Sequence, residues 1–154
     1  MPLLEFLTPE AVAPHLRVTS KKAALHELAA QAARLTGLSE RVIFEALLQR
    51  ERLGSTGIGD GIAIPHGKLP GLSRMFGLAA RLDKPIAFES LDGQPVDILF
   101  LLLAPEDAGA DHLKALASVA RALREPGAPE RIRKARDAAA LYAVLTQASA
   151  PRAA

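Results

Sequence analysis

Cysteine and tryptophan are absent from this sequence of 154 residues, and aromatic residues make up only 4% of it. Without cysteine there is no disulfide framework, no thiol nucleophile and no thiolate metal site, which is compatible with a reducing cytoplasm. The few aromatic residues do not alternate with basic ones, so we expect no stacking platform for single-stranded nucleic acid.

An excess of charge of one sign is also missing, because 19 basic residues nearly balance 17 acidic ones and leave a net charge of +2. A balance of this kind does not indicate nucleic-acid binding. The basic cluster Arg131, Arg133, Lys134 and Arg136 is most simply a solvated helix face, and a docking patch for an acidic partner is the alternative.

Long hydrophobic runs are missing as well. The longest, from Ile98 to Ala104, is far shorter than the roughly 20 residues that span a bilayer. The N-terminus lacks the basic start and long apolar core of a signal peptide. We therefore expect a cytoplasmic protein without membrane insertion.

Apolar residues are plentiful, at 49% of the chain, and 154 residues are enough for one domain with a substantial core. Ser20 and Ser39 each precede apolar residues at helical spacing, which predicts two capped helices joined by a short link. Residues 3 to 18, with Pro9 and Pro14, are interpreted as a turn region.

The pattern changes to strands after the second helix. Met75 to Leu82 predicts a strand that Asp83-Lys84-Pro85 turns, and the apolar run from Val96 to Leu103 predicts a central strand covered on both faces. Helices return from about Asp111. We expect one α/β layered domain over residues 1–154 with a small mixed sheet, frayed over 1–3 and 148–154.

The stretch from Arg50 to Lys68, RERLGSTGIGDGIAIPHGK, is rich in glycine and ends in a short apolar segment. Glycine allows positive φ and close approach of the backbone to a ligand. Ile62 to Ile64 predicts a buried strand, and Pro65 is expected to end its ladder. His66 is then presented at the rim of a sheet, where a large reactant can reach it.

Familiar catalytic motifs are not present in this stretch or elsewhere. Gly67-Lys68 is followed by leucine, so there is no P-loop, and the glycines precede a strand instead of linking a strand to a helix, so there is no dinucleotide fingerprint. The serine-hydrolase motif G-x-S-x-G is also absent. A metal-dependent hydrolase that uses His66, His112 and a carboxylate such as Asp60 or Asp111 remains an alternative, although no close pair of histidines supports it.

A histidine that accepts a phosphoryl group fits these residues, because phosphoryl transfer asks the protein mainly to position groups and offset charge. His112 begins a predicted helix, where the helix dipole disfavours its protonation and free N–H groups attract anions. Arg50 can add a charge-assisted hydrogen bond, and Ser55 and Thr56 offer hydroxyls to a phosphate. The alternative for His112, a helix-start residue that contacts only water, is slightly favoured by spacing alone.

Three segments resemble the enzyme IIA family of the phosphoenolpyruvate-dependent phosphotransferase system. They are GSTGIGDGIAIPHGK, PIAFESLDGQPVDILFLLLAP and DHLKALASVARAL. The resemblance is to the mannitol/fructose class, is closest to its nitrogen-regulatory branch, and extends from about Leu4 to Leu145. It implies a mixed sheet of about five strands flanked by helices.

The resemblance also implies roles for individual residues. His66 matches the histidine that carries the phosphoryl group, His112 matches the second active-site histidine, and Arg50 matches the arginine before the glycine loop. The implied donor is an HPr-like phosphocarrier protein supplied by enzyme I, and no cofactor or metal is implied.

The downstream partner is less defined. The nitrogen-regulatory branch regulates partners, such as a transporter or kinase, according to phosphorylation state, whereas sugar-transporting members pass the group to an enzyme IIB (EIIB) domain. The GSTG and PIAF segments favour regulation. A phosphotransferase-system component with a phosphohistidine intermediate is thus expected, and a pure binding module with a vestigial site is a further alternative.

Overall fold

The computed structural model describes residues 1–148 and contains five α-helices and one six-stranded mixed sheet. The strands are β1 (Val12–Leu16), β2 (Gly57–Gly59), β3 (Ile62–Ala63), β4 (His66–Leu69), β5 (Phe76–Ile86) and β6 (Val96–Pro105). The helices are α1 (Lys21–Thr36), α2 (Glu40–Arg52), α3 (Ala110–Arg124), α4 (Ala128–Lys134) and α5 (Ala138–Ala148). The predicted α/β layered fold is confirmed, with six strands instead of about five.

The two ends of the chain were expected to be frayed. At the N-terminus, two short 3-10 helices, Leu3–Glu5 and Pro9–Ala11, precede β1, and Leu3 is fully buried in the core. The prediction of fraying is therefore wrong for Leu3. At the other end, residues 149–154 lie outside the described residues.

Strand β6 is the centre of the sheet. It pairs antiparallel with β5 on one side and parallel with β3 and β4 on the other, and the strand order is β1-β5-β6-β3-β2 with β4 also on β6. Every residue from Ile98 to Ala104 is buried, as the continuous apolar run predicts for a strand covered on both faces.

Strands β3 and β4 are two parts of one interrupted strand. Ile62 pairs with Ile98 and His66 pairs with Leu102, so both parts keep the same register against β6. Pro65 lies between them, and its carbonyl accepts a hydrogen bond from the Leu102 amide at 2.9 Å. The prediction that Pro65 ends the ladder is therefore wrong. The pairing resumes at His66, which is held against the central strand.

Two further predictions are wrong because the prolines lie where a sheet tolerates them. Residues 83–85 continue β5, which runs through a register shift between Arg81 and Ile86. Pro14 is part of β1, a strand at the edge of the sheet that needs no donor on its outer side. The predicted turns are therefore strand.

The first two helices follow their predicted caps. Ser20 Oγ accepts from the Ala23 amide at 3.1 Å, and Ser39 Oγ accepts from the Val42 amide at 3.3 Å. Helix α2 packs against both α1 and β4, which brings its C-terminal end beside His66. No helix within residues 1–148 is long and apolar enough to cross a membrane.

Two glycines of the central loop, Gly57 and Gly61, lie directly against other parts of this chain. A Cβ on Gly57 would lie 2.9 Å from Ser90 Cβ, and a Cβ on Gly61 would lie 2.8 Å from Asp97 Oδ1. The expectation that these glycines let the backbone approach a ligand is therefore wrong for Gly57 and Gly61. The absence of a side chain at Gly57 leaves room for Ser90, in the loop between β5 and β6, and its absence at Gly61 leaves room for Asp97, near the start of β6.

We predict that Gly57→Ala lowers the free energy of unfolding by about 1–3 kcal/mol, because the new methyl group overlaps Ser90 and the backbone cannot withdraw. Ser90 Cα would lie only 3.0 Å from that methyl group. Urea unfolding followed by circular dichroism measures the change. The double variant Gly57→Ala/Ser90→Gly should recover part of the loss, and an unaltered midpoint in Gly57→Ala would contradict the packing described here.

Candidate functional site

His66, the first residue of β4, is partly exposed and its ring is held by the backbone. Its Nδ1 lies 2.9 Å from the carbonyl oxygen of Ile64. A carbonyl oxygen only accepts hydrogen bonds, so Nδ1 carries the proton and donates it. In the neutral ring, Nε2 therefore has a free lone pair, which is the form that a nucleophilic imidazole requires.

Arg50, in the last turn of α2, lies against that lone pair. Its Nε donates to His66 Nε2 at 3.2 Å, and its Nη1 donates to the carbonyl oxygen of Gly54 at 2.9 Å. The guanidinium is thus fixed at two points beside the nucleophilic nitrogen. A phosphoryl group on Nε2 would be within reach of a charge-assisted hydrogen bond.

His112 is the third residue of α3 and lies beside His66. The two ring centroids are 5.6 Å apart, with an angle of 70° between the planes. The residue is only 8% exposed, and its Nε2 is buried without a hydrogen-bond partner within residues 1–148. The alternative in which His112 contacts only water is therefore wrong. A buried polar nitrogen without a partner is unfavourable unless a ligand satisfies it.

These three side chains line an open cavity of about 640 Å³. Its other lining residues come from the end of α2 and from β4, and they are Ala46, Gln49, Arg52, Leu53, Gly67 and Lys68. Leu53 is 85% exposed, so part of the cavity wall is apolar and open to solvent. The structure brings together His66, His112 and Arg50, and their roles in transfer stay predictions.

Ser55 and Thr56 do not lie in the cavity, contrary to the prediction of phosphate support. Ser55 Oγ donates to the carbonyl oxygen of Phe88 at 2.7 Å and accepts from the Gly57 amide at 3.0 Å. The Thr56 hydroxyl is buried and donates to the carboxylate of Glu51. Both hydroxyls hold the loop in place, so they are not free to bind a phosphate.

Two features of the site were missed in the sequence. Lys68 lies two residues beyond His66 on the same strand and therefore on the same face, which the period of two in a strand could have indicated. The Ile64 carbonyl fixes the His66 tautomer. The pattern of side chains could not have indicated this role, because the position of the carbonyl depends on the interruption of the strand at Pro65.

The surroundings lower the pKa of both histidines. For His66, burial is the main cause and the nearby Arg50 charge adds to it, while the Ile64 hydrogen bond and the Glu51 carboxylate act in the opposite direction. For His112, burial again lowers the pKa, with smaller effects of the same sign from His66 and Lys68. Both rings are therefore mainly neutral at pH 7, which the nucleophile His66 requires and which leaves His112 one N–H that can donate to a phosphate.

The lowered pKa of His66 predicts a pH dependence. The neutral ring is the nucleophile, so capacity for transfer is complete at neutral pH and is lost as pH falls through a pKa below the ordinary value of about 6.5. Nuclear magnetic resonance (NMR) titration of the His66 ring in the unmodified protein measures this midpoint. An N-acetylhistidine amide in the same buffer is the control, and a His66 midpoint above that of the control would contradict the prediction.

The metal-dependent hydrolase finds no support in the arrangement of ligands. Within residues 1–148, no group of three or more histidine or acidic side chains is placed to hold a metal ion. Asp60 belongs to the turn between β2 and β3, where its carbonyl accepts from Arg133, and not to the cavity of His66. The two histidines thus have no third ligand there.

A neutral imidazole with an unprotonated nitrogen, a second imidazole and a guanidinium in one open cavity can together receive an anionic group. The family model described as phosphoenolpyruvate-dependent sugar phosphotransferase system, EIIA 2, matches residues 5–148, and the chain belongs to this family. The identification made from the three sequence segments is therefore confirmed.

The chain is also similar to individual members. It is 63% identical over 145 residues to a nitrogen regulatory protein from Bradyrhizobium diazoefficiens, covering 94% of this chain and 95% of that one. The crystal structure of nitrogen regulatory protein IIA-Ntr from Neisseria meningitidis has a TM-score of 0.87 at 36% identity and covers 92% and 97% of the two chains.

A more distant structure shares the fold alone. It is the complex of enzyme IIA of the mannitol system with phosphorylated enzyme IIB from Escherichia coli, with a TM-score of 0.76 at 16% identity and coverage of 92% of this chain and 99% of that one. The layered α/β architecture is therefore shared by this chain, the nitrogen regulatory protein IIA-Ntr and the mannitol enzyme IIA.

Proposed function

We propose that the protein is a phosphocarrier that accepts a phosphoryl group on Nε2 of His66 from an HPr-like protein and regulates partners according to its phosphorylation state. The observation that carries this proposal is the neutral His66 ring, with its Nδ1 proton on the Ile64 carbonyl and its Nε2 facing Arg50 in an open cavity. The relative named a nitrogen regulatory protein favours the regulatory role.

The transfer step exchanges one phosphorus–nitrogen bond for another. The lone pair of His66 Nε2 attacks the phosphorus of a phosphohistidine on the donor, and the donor nitrogen leaves with the electron pair of the broken bond. The Nδ1 proton of His66 stays on Nδ1, hydrogen-bonded to Ile64. Arg50 can donate hydrogen bonds to the phosphoryl oxygens, and so can His112 Nε2, which has no hydrogen-bond partner in the part of the chain that the structure describes.

The surface beside the site suits a reader of phosphorylation state. Leu53 is 85% exposed in the cavity wall, and Leu113, which follows His112, is 70% exposed. Phosphorylation would add about two negative charges beside these apolar side chains. A partner that covers them would then have to accommodate or exclude this charge, so its affinity would differ between the two states. In this proposal, phosphoryl transfer takes place in the cytoplasm.

A second candidate function is transfer onward to an EIIB protein. The complex of the mannitol EIIA with phosphorylated EIIB, whose EIIA has this fold, favours it. The two candidates share the acceptance step and differ only in the later fate of the phosphoryl group. They are separated by adding EIIB to the phosphorylated protein, since only the second candidate predicts loss of label to it.

The proposal is tested with purified enzyme I, an HPr-like protein and phosphoenolpyruvate labelled with ³²P. The protein should acquire an acid-labile, base-stable label, and mass spectrometry at alkaline pH should find the phosphate on His66. Omission of the HPr-like protein is the control, because enzyme I should not act directly. No label, or label on another residue, would overturn the proposal.

A further inference from the structure

A buried carboxylate lies directly beside Arg50 in the chain. The side chain of Glu51 is only 3% exposed, and its Oε1 lies 3.0 Å from Lys21 Nζ at the start of α1. The same carboxylate accepts from the Thr56 amide at 3.0 Å and from the Thr56 hydroxyl. A carboxylate at this depth is stable only when it is paired and hydrogen-bonded, so its position is tightly defined.

The contacts of Glu51 fasten the loop that holds Arg50. Arg50 donates to the carbonyl oxygen of Gly54, and Thr56 lies two residues further along the same loop. The hydrogen bond from the Thr56 amide to Glu51 connects the loop to the end of α2, and the ion pair of Glu51 with Lys21 connects it to α1. These contacts restrain the loop next to the Gly54 carbonyl, which receives one end of the guanidinium, in addition to the backbone hydrogen bond from the Gly54 amide to the Glu51 carbonyl.

We propose that Glu51, held by Lys21 and Thr56, is a positioning residue that directs the Arg50 guanidinium toward Nε2 of His66. This inference rests on the proposed function, because it assigns Glu51 a part in the same phosphoryl transfer. Glu51 makes no hydrogen bond to His66, and it acts through Arg50. The buried acid–base pair is therefore part of the site, although it lies outside the cavity.

The charge of Glu51 also reaches the site. Burial and Arg50 lower the pKa of His66, whereas the Glu51 carboxylate acts in the opposite direction. The carboxylate is thus close enough to influence the ring electrostatically. Because the His66 ring is mainly neutral at pH 7 with or without this influence, we expect the electrostatic effect to leave kcat unchanged there, and the positioning effect depends on contacts that do not involve His66.

Glu51→Gln tests the proposal, because it removes the charge that pairs with Lys21 at almost constant volume. We expect the kcat for accepting phosphate from the HPr-like donor to fall about 10- to 100-fold, as misplacement of a group at a reaction centre does. The KM for the donor should not change, because the Glu51 side chain is buried and cannot contact it. A fall in stability with kcat unchanged would overturn the proposal.

Asp97→Asn is the matched control. Asp97 forms an ion pair with Arg133 at 2.9 Å, and it lies at the opposite end of β6 from Leu102, the residue that pairs with His66. This variant also loses a carboxylate from an ion pair and should retain the kcat of the wild type. A kcat that falls equally in Asp97→Asn and Glu51→Gln would indicate general destabilisation and would overturn the positioning role.

A double-mutant cycle with Arg50→Ala tests whether Glu51 acts through Arg50. If it does, Glu51→Gln has no further effect on kcat in the Arg50→Ala background. Independent, multiplicative losses would overturn the proposal.

NMR of the unphosphorylated protein tests the same point without any transfer. Loss of the Arg50 hydrogen bond should move the ¹⁵N resonance of His66 Nε2 downfield in Glu51→Gln and in Arg50→Ala, with no further change in the double variant. An unmoved Nε2 resonance in Glu51→Gln would overturn the proposal. If the donor does not phosphorylate the wild type, the proposed function fails, and this measurement still decides the role of Glu51.

Thr56→Val tests the same positioning role if the Glu51→Gln variant does not fold. It removes one hydrogen bond to the carboxylate and leaves every charge in place. We expect a several-fold fall in kcat and a smaller downfield movement of the Nε2 resonance. A folded Thr56→Val protein with both quantities equal to those of the wild type would overturn the proposal.

Discussion

Replacing His66 with alanine should abolish phosphorylation by enzyme I and the HPr-like donor. The variant lacks the lone pair at Nε2, and in the proposed function His112 donates a hydrogen bond to the phosphoryl group and does not accept that group itself. His66 is partly exposed and its ring makes only two hydrogen bonds within the described part of the chain, with the Ile64 carbonyl and with Arg50, so the fold should survive its loss. The measurement is transfer of ³²P from labelled phosphoenolpyruvate, with circular dichroism to verify folding.

His26→Ala is the control for this experiment. His26 is another exposed histidine, stacked on Phe44 with 3.6 Å between the ring centroids, and it lies outside the cavity. Its replacement should leave labelling intact. Persistent labelling of His66→Ala would mean that another residue accepts the phosphate, and would remove His66 from the mechanism.

Replacing Arg50 with alanine should slow acceptance of phosphate by about 10- to 150-fold. A hydrogen bond to a charged group contributes roughly 1.5–3 kcal/mol, which corresponds to that range of rates. Arg50 donates to His66 Nε2 before transfer and remains beside the phosphoryl oxygens after it. Its charge also lowers the pKa of His66, so its removal should raise the NMR titration midpoint of that ring.

Two further variants define the Arg50 effect. Arg41→Ala removes an exposed arginine of the same helix, which pairs with Glu45 on the surface, and it should transfer phosphate at the wild-type rate. Arg50→Lys keeps the charge but loses the planar group that reaches Gly54 and His66 together, so an intermediate rate is expected. Single-turnover rates from pre-phosphorylated donor measure all three, and a wild-type rate in Arg50→Ala would exclude its role.

The three central side chains of the site could be predicted because each is marked by its local sequence. His66 follows an apolar strand and a proline, His112 begins a helix, and Arg50 ends one. Those positions come together because β4 pairs with β6, α3 follows β6, and α2 packs on β4. The order of elements along the chain was not sufficient for His112, because spacing alone slightly favoured a helix-start residue that contacts only water, and the resemblance to the family decided its assignment.

The rest depended on contacts between residues distant in sequence. Pro14 indicated a turn, yet it lies in an edge strand whose partner, β5, begins more than sixty residues later. Ser55 and Thr56 were assigned to the phosphate because their hydroxyls are near the glycine loop, but Phe88 and Glu51 bind those hydroxyls. Lys21 looks like an ordinary helix start, and only the folded chain brings it to Glu51.

The hydrogen bond between His66 Nδ1 and the Ile64 carbonyl has a chemical consequence for the product. An imidazole can form two phosphohistidine regioisomers, and this bond leaves only one nitrogen available for reaction. Every molecule of the modified protein would therefore carry the same isomer, with phosphorus on Nε2. The backbone next to Pro65, and not any side chain, would determine the regiochemistry of the modification.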